Sequence, residues 1–181
     1  MKKILLILFV ALLVQQSAIA QKAVKIWIVR HAEKLAVDPQ DKDPELSELG
    51  QERSQALLKE LRGKNIDSIF VTDFKRTKLT GFPLADKIGI ALKTYDPAQI
   101  KQLAKEWSLN ARGKNLLIVG HSNTVLEVIE AFGGKRPMPA LTDDDYDYIF
   151  EVTVKGDKTE VSVGNYGASH RSSTGVIKDK M

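Results

Sequence analysis

The 181-residue sequence carries a formal charge of +4, three histidines and no cysteine, so a disulfide scaffold is excluded and the fold must be held by its core. The positive excess comes from scattered lysines and lacks the basic patch with interleaved aromatics of a nucleic-acid binder; it suits a small anionic ligand equally well.

At the N-terminus, Lys2 and Lys3 precede an apolar run from Ile4 to Val14, and Ala18-Ile19-Ala20 forms an A-x-A site before Gln21. This pattern predicts a secretory signal over residues 1–20 and an exported, periplasmic or secreted protein. The apolar run is about half the ~20 residues a spanning helix needs, so no stable membrane insertion is expected after cleavage. Loss of Lys2 and Lys3 lowers the charge from +4 to +2, and Gln21 to Met181 fits one domain with a sizeable core.

Strand and helix patterns then alternate. Lys25 to Val29 reads as a first strand. Ser47 is placed to cap a helix running to about Arg62 and ended by Gly63. Ile66 to Val71 reads as a second strand, followed by an imperfect helix from about Phe74 to Ile88. Gly81 and Pro83 weaken that helix, since an interior Pro costs about 3 kcal/mol. Leu92 to Tyr95 forms a third strand, and Asp96-Pro97 opens a helix on which Ile100, Leu103, Ala104, Trp107 and Ala111 recur at helical spacing. Leu116 to Val119 is the next strand, and Val125, Val128, Ile129 and Phe132 share one helix face that ends at Gly133-Gly134.

From Phe150 the period changes to two: Phe150, Val152 and Val154 alternate with polar residues, Gly156-Asp157 supplies a hairpin turn, and Val161 and Val163 alternate again. The expected fold class is α/β, a three-layer sandwich with a mainly parallel central sheet flanked by helices and a C-terminal antiparallel hairpin at the edge. A single domain is expected over residues 21–167, with a mobile Ser-, Lys- and Thr-rich tail over 168–181.

Chemistry concentrates where apolar strands end. Arg30-His31 follows the first strand, and His121 follows Leu116-Leu117-Ile118-Val119-Gly120. If these strands are parallel neighbours, both imidazoles emerge at the carboxyl edge of the sheet, where open α/β sheets place their ligands. A neutral imidazole there can attack phosphorus directly. Arg30 can grip phosphate oxygens with its planar fork of donors, and Arg76, in Thr72-Asp73-Phe74-Lys75-Arg76-Thr77, can reach the same edge. Taken singly, each piece also has a plainer reading: Arg30-His31 as solvated surface, and Lys75, Arg76 and Lys78 as the polar face of a helix.

Gly120-His121-Ser122-Asn123-Thr124 supports two chemistries. His121 can donate to a phosphate, with Ser122 and the following helix N-terminus adding anion affinity. Alternatively, Ser122 is the nucleophile of a G-x-S-x-G elbow, but Thr124 stands where that turn requires Gly, and His170 in the tail is the only later histidine. Asp143, Asp145 and Asp147 imitate an EF-hand start, yet Tyr148 replaces the required Gly and Val154 the final Glu. Gly113-Lys114-Asn115 lacks the rest of a P-loop. A metal bound by His31, His121 and a carboxylate is opposed by the charges of Arg30 and Arg76.

Together these blocks resemble the histidine phosphatase superfamily, the phosphoglycerate-mutase-like fold. Arg30-His31-Ala32-Glu33 is similar to its R-H-G-E block, with Ala32 where Gly is usual. Ser47-Glu48-Leu49-Gly50 resembles the L-T/S-x-x-G start of its first helix, the segment from Thr72 through Ala85 resembles S-x-x-x-R-A-x-x-T-A, and Gly120-His121-Ser122 resembles its second histidine block.

The resemblance implies a metal-independent, cofactor-free phosphohydrolase acting on a small phosphorylated substrate. His31 would be the phosphorylated nucleophile, with Arg30, Arg76 and His121 around the phosphoryl group. The general acid would be Asp96, which follows the third strand, or Glu33, two residues from the nucleophile. Asp96 reads equally as the N-cap of the Pro97 helix. The chain has only the short Ile100 helix where larger members insert a long segment, so the site is expected to be open, favouring a phosphatase over a mutase. A non-catalytic phospho-ligand binding domain is the alternative from another class.

Overall fold

The computed structural model describes residues 22–38 and 40–169. The signal expected at 1–20 and His170 lie outside the described residues, as does the tail beyond Ser169. The elements in chain order are β1 (Val24–Arg30), α1 (Glu48–Leu61), β2 (Ser68–Val71), α2 (Lys75–Ile88), β3 (Leu92–Thr94), a short 3-10 turn (Pro97–Gln99) leading into α3 (Ile100–Asn110), β4 (Asn115–Gly120), α4 (Val125–Ala131), β5 (Tyr148–Lys155) and β6 (Lys158–Asn165). The strands form one six-stranded sheet in the order β3-β2-β4-β1-β5-β6. β1, β2, β3 and β4 are mutually parallel, and the β5–β6 hairpin adds antiparallel to β1. The fold is the expected three-layer α/β sandwich.

The two apolar faces of the strands make two cores. Ile26, Ile28, Leu116, Ile118, Phe150 and Val152 face α3 and α4, where Trp107, Val125, Ile129 and Phe132 cover them. Trp27, Val29, Leu117 and Val119 point to the opposite face, under Leu57 and Leu61 of α1 and Leu84 and Ala85 of α2. Strands buried on both sides read as continuous apolar runs, as β1 and β4 do.

Local chemistry explains where the elements start and stop. The Ser47 side chain accepts from the Gly50 N–H at 3.2 Å, capping α1 as its sequence predicts. β2 is shorter than expected: Ile66 is buried, but Asn65 has a left-handed φ of 51° and the chain straightens only at Ser68. α2 runs unbroken through Gly81 and Pro83. The Cβ of any other residue at Gly81 would lie 3.2 Å from Ile69 Cγ2 and 3.3 Å from Leu92 Cδ2, so Gly lets the helix settle on the sheet. Pro83 removes the donor to the carbonyl of exposed Leu79, which water can satisfy. α4 ends at Ala131, and Gly133 follows with a left-handed φ of 78°.

Candidate functional site

Strand register brings the two histidines together. Arg30 pairs with Gly120 at the carboxyl ends of β1 and β4, and the His31 N–H continues the ladder to the Gly120 carbonyl at 2.9 Å. The ring centroids of His31 and His121 are then 5.2 Å apart. Val71, the last residue of β2, pairs with Val119, which delivers Thr72 and the start of α2 to the same edge.

His31 is 5% exposed, and its Nδ1 lies 2.8 Å from the Ala32 carbonyl oxygen. A carbonyl only accepts, so Nδ1 carries the proton and Nε2 keeps its lone pair. Burial pushes the His31 pKa down to about 3, assisted by the neighbouring Arg30, His121 and Arg76 and opposed by the Ala32 hydrogen bond. The imidazole is therefore neutral at physiological pH and has one fixed tautomer, as a nitrogen nucleophile requires. The loop beyond it is held from two helices. The Ala32 N–H donates to Thr80 Oγ1 at 2.9 Å, and Thr80 Oγ1 donates to the Arg76 carbonyl at 2.7 Å. The Ser47 N–H donates to the Glu33 carbonyl at 2.9 Å, and a Cβ at Gly50 would stand 2.1 Å from that carbonyl oxygen, which accounts for Gly in the Ser47–Gly50 block. Ala32 does not adopt a positive φ, so nothing in its backbone demands the Gly usual there.

Arg30 and Arg76 flank the imidazoles. Arg30 Nη1 donates to the carbonyls of Thr142 at 2.9 Å and Asp143 at 3.0 Å, and the guanidinium stacks 3.9 Å above the Tyr146 ring. Arg76 Nη1 lies 3.3 Å from the Lys42 carbonyl and 3.7 Å from Asp43 Oδ1, and its guanidinium sits 4.2 Å from the Phe74 ring centre. In both residues Nε is buried with no hydrogen-bond partner among the described residues. Leaving a buried donor unpaired costs about 1–3 kcal/mol each. Two such guanidinium donors beside two imidazoles make an anion-binding constellation.

His121 follows β4 with its Nε2 2.8 Å from Thr72 Oγ1, and burial first, then Arg76 and Arg30, pushes its pKa down to about 4. Thr124, which breaks the elbow pattern, accepts the His121 N–H at 3.0 Å through its hydroxyl and so fixes the turn by a side chain. Ser122 lines the same cavity, but no histidine hydrogen-bonds to it among the described residues, and His121 Nε2 is already engaged by Thr72.

The carboxylates separate clearly. Glu33 is turned into the protein, where Arg53 holds it: Arg53 Nε lies 2.9 Å from both carboxylate oxygens and Nη2 lies 2.8 Å from Oε1. Glu33 is thus placed as the partner of a buried ion pair, away from the cavity wall. Asp96 does line the cavity, and its Oδ1 also accepts the Ala98 N–H at 2.9 Å. Asp96 is thus an N-cap that also stands on the cavity lining.

The resulting cavity of about 820 Å³ is walled by Arg30, His31, Arg76, His121, Asp96 and Tyr146, with Lys34, Asp143 and Asp144 also on its lining. Three contributors carry weak sequence signals. Tyr146 and the Thr142–Asp145 carbonyls act through backbone and stacking, which no motif records. Thr72 and Thr77 form a hydroxyl chain behind His121 that only the Thr at each end of Thr72-Asp73-Phe74-Lys75-Arg76-Thr77 hints at.

The family model of the histidine phosphatase superfamily (branch 1) matches residues 26–99, which include Arg30, His31, Arg76 and Asp96. No curated protein sequence matches the chain. Among solved structures, a SixA protein from Agrobacterium tumefaciens aligns with a TM-score of 0.60 at 16% identity, covering 80% of this chain and 97% of that one. The protein histidine phosphatase SixA complexed with tungstate aligns with a TM-score of 0.58 at 17% identity, covering 78% and 96%. The mycobacterial glucosyl-3-phosphoglycerate phosphatase aligns with a TM-score of 0.63 at 13% identity, covering 80% and 100%. At such identities these structures show a shared fold and nothing finer. Over residues 26–99 the chain is similar to the histidine phosphatase superfamily (branch 1).

Proposed function

We propose that the protein is a phosphohydrolase that cleaves small phosphomonoesters through a phosphohistidine intermediate. The observation that carries this reading is the pairing of a neutral, tautomer-locked His31, whose Nε2 is free to attack, with buried, unpaired Nε donors of Arg30 and Arg76. In the first step Nε2 bonds to phosphorus as the ester P–O bond breaks in line; Arg30, Arg76 and His121 stabilise the equatorial oxygens, and the leaving alkoxide takes a proton from Asp96. In the second, water gives a proton to the Asp96 carboxylate as it attacks the phosphohistidine, which returns His31 and protonated Asp96 and releases inorganic phosphate. Asp96 is preferred to Glu33 as the acid because it faces the cavity, whereas Glu33 is bound by Arg53. Two guanidinium charges beside the imidazoles disfavour a cation there, so turnover is expected without metal.

The structural relatives that bear phosphatase names, the tungstate complex of SixA among them, support the reaction class without naming the substrate. The pattern of Lys2, Lys3, Ile4 to Val14 and Ala18-Ile19-Ala20 supports export, which N-terminal sequencing of the protein recovered outside the cytoplasm would check. The central experiment is hydrolysis of an aryl phosphate in the presence of a chelator. Activity should persist, quenching during turnover should trap acid-labile phosphate on the protein, and His31→Ala should lose both. Wild-type turnover in His31→Ala would overturn the assignment; phosphate binding with no hydrolysis of any phosphomonoester would favour a binding domain.

A further inference from the structure

Behind His121 runs a chain of buried hydroxyls whose proton order can be worked out. Thr77 Oγ1 lies 2.9 Å from the Thr72 carbonyl, 2.8 Å from the Phe74 carbonyl and 3.0 Å from Thr72 Oγ1. The two carbonyls can only accept, so the single Thr77 hydroxyl proton belongs to them; otherwise two oxygen pairs would face each other at hydrogen-bond distance with no proton between. Thr72 Oγ1 must then give its own proton to Thr77. With that proton spent, Thr72 Oγ1 can only accept from the nitrogen 2.8 Å away, His121 Nε2. Both threonines are essentially inaccessible, at 1% and 0% exposure, so water does not offer an alternative partner.

We propose that Thr72 and Thr77 are positioning residues that hold neutral His121 as its Nε2–H tautomer, so that His121 engages a phosphoryl oxygen only after its Nδ1 takes up a proton from solvent. This rests on the phosphate-pocket reading above and sharpens it. While Nε2–H donates to Thr72 throughout, Nδ1 of His121 is an acceptor in the resting protein and becomes a donor on a charged ring when the anion arrives. The bond formed is Nδ1–H, the proton comes from solvent, and no other group changes charge. The surroundings enforce the order of events. Arg30 at the end of β1, His31 and Lys34 in the loop after it, Arg76 from α2, Asp96 after β3, and Asp143, Asp144 and Tyr146 before β5 are the titratable groups lining the same cavity. Burial and the two guanidinium groups keep His121 deprotonated in the free state, with a pKa near 4. A bound dianion reverses the field of the two arginines and offers the new proton a hydrogen-bond acceptor.

Thr77 is the informative position, because Ala is the residue usual there in the family pattern that Thr72 to Ala85 resembles. Without the Thr77 hydroxyl, Thr72 is free to donate to His121 Nε2, and the imidazole can present Nδ1–H as a neutral donor.

The test uses tungstate, a tetrahedral dianion that carries no titrating proton of its own above neutrality. Calorimetric titration of the whole protein in buffers of different ionisation enthalpy should show uptake of about one proton per site, and affinity should fall about tenfold per pH unit. In Thr77→Ala both the uptake and the pH dependence should drop, and Thr77→Ser should restore them, which a purely structural role for Thr77 would not do. Nitrogen-15 NMR of the ligand-free protein should show His121 protonated at Nε2 in the wild type and shifted toward Nδ1–H in Thr77→Ala. Proton uptake unchanged in Thr77→Ala, or an Nδ1–H tautomer in the wild type, overturns the proposal. If tungstate does not bind, the phosphate-pocket reading falls and the coupled uptake with it, while the NMR tautomer separately decides the proton order.

Discussion

Arg53 grips Glu33 through three contacts of 2.8 to 2.9 Å, and the same guanidinium donates to the carbonyls of Tyr166 at 3.0 Å and Ala168 at 2.9 Å. One buried cation therefore ties the loop two residues beyond His31 to α1 and to the chain after β6. The Arg53 and Glu33 side chains are only 2% and 9% exposed, so the ion pair is shielded from water. Removing one partner of such a pair costs about 3–5 kcal/mol, because the survivor is left buried and uncompensated. Glu33→Gln and Arg53→Met should each lower the denaturant midpoint strongly. The double variant should lose less than the sum, since no orphan charge remains. If Glu33 is structural, Glu33→Gln that is still folded should keep most of its kcat. A selective loss of kcat on poor leaving groups, with stability intact, would instead return Glu33 to the acid role.

Stability should depend on pH through the two site histidines. Burial, foremost, lowers the His31 pKa to about 3 and the His121 pKa to about 4, from 6.5 for each without such perturbation. Between about 4 and 6.5 the unfolded chain binds protons at these positions and the folded protein does not, so stability rises with pH across that window. It is fully present above 6.5 and is lost on acidification. Denaturant midpoints measured across the window should fall toward acid, and His31→Gln and His121→Gln should each flatten the slope by about one proton. A slope untouched by both substitutions would show that neither imidazole is held neutral by the fold.

The order of elements was legible because the strands near the site are buried on both faces. The apolar runs around Ile28 and Ile118 can satisfy two cores only as inner strands, and the period-two alternation from Phe150 can only be an outer hairpin. Arg30, His31, Arg76 and His121 were legible because each follows directly on such a strand or opens the next helix. Glu33 was not, since its role depends on Arg53, twenty residues away in sequence and on a different element. Pro83 misled for a related reason: helix propensity counts its missing donor in full, whereas the residue one turn earlier, Leu79, stands on the exposed side of α2, where solvent can replace that donor. The carbonyls that hold Arg30 come from Thr142, Asp143 and Asp145, and backbone atoms leave no trace in side-chain motifs.

Asp96 allows its two roles to be separated by one atom. Its Oδ1 accepts the Ala98 N–H at 2.9 Å, capping the Pro97–Gln99 turn, while the residue also lines the cavity with His31 and His121. Asn retains the accepting oxygen and loses the acidic proton. Asp96→Asn should therefore unfold at the wild-type midpoint, whereas Asp96→Ala should lose about 1 kcal/mol with the cap. In catalysis the two variants should behave alike. A general acid contributes roughly 10² to 10⁴ in rate when the leaving group is a poor one, and little when it departs as a stabilised anion. Hydrolysis of an alkyl phosphate should consequently fall by about 10² or more in both, with hydrolysis of an aryl phosphate bearing an acidic phenol close to wild type. Because the proposed attack by His31 is on the same phosphorus in either case, equal losses on both substrates would indicate damage to the phosphoryl pocket, and an undiminished alkyl rate in Asp96→Asn would remove Asp96 from the chemistry and leave it a cap.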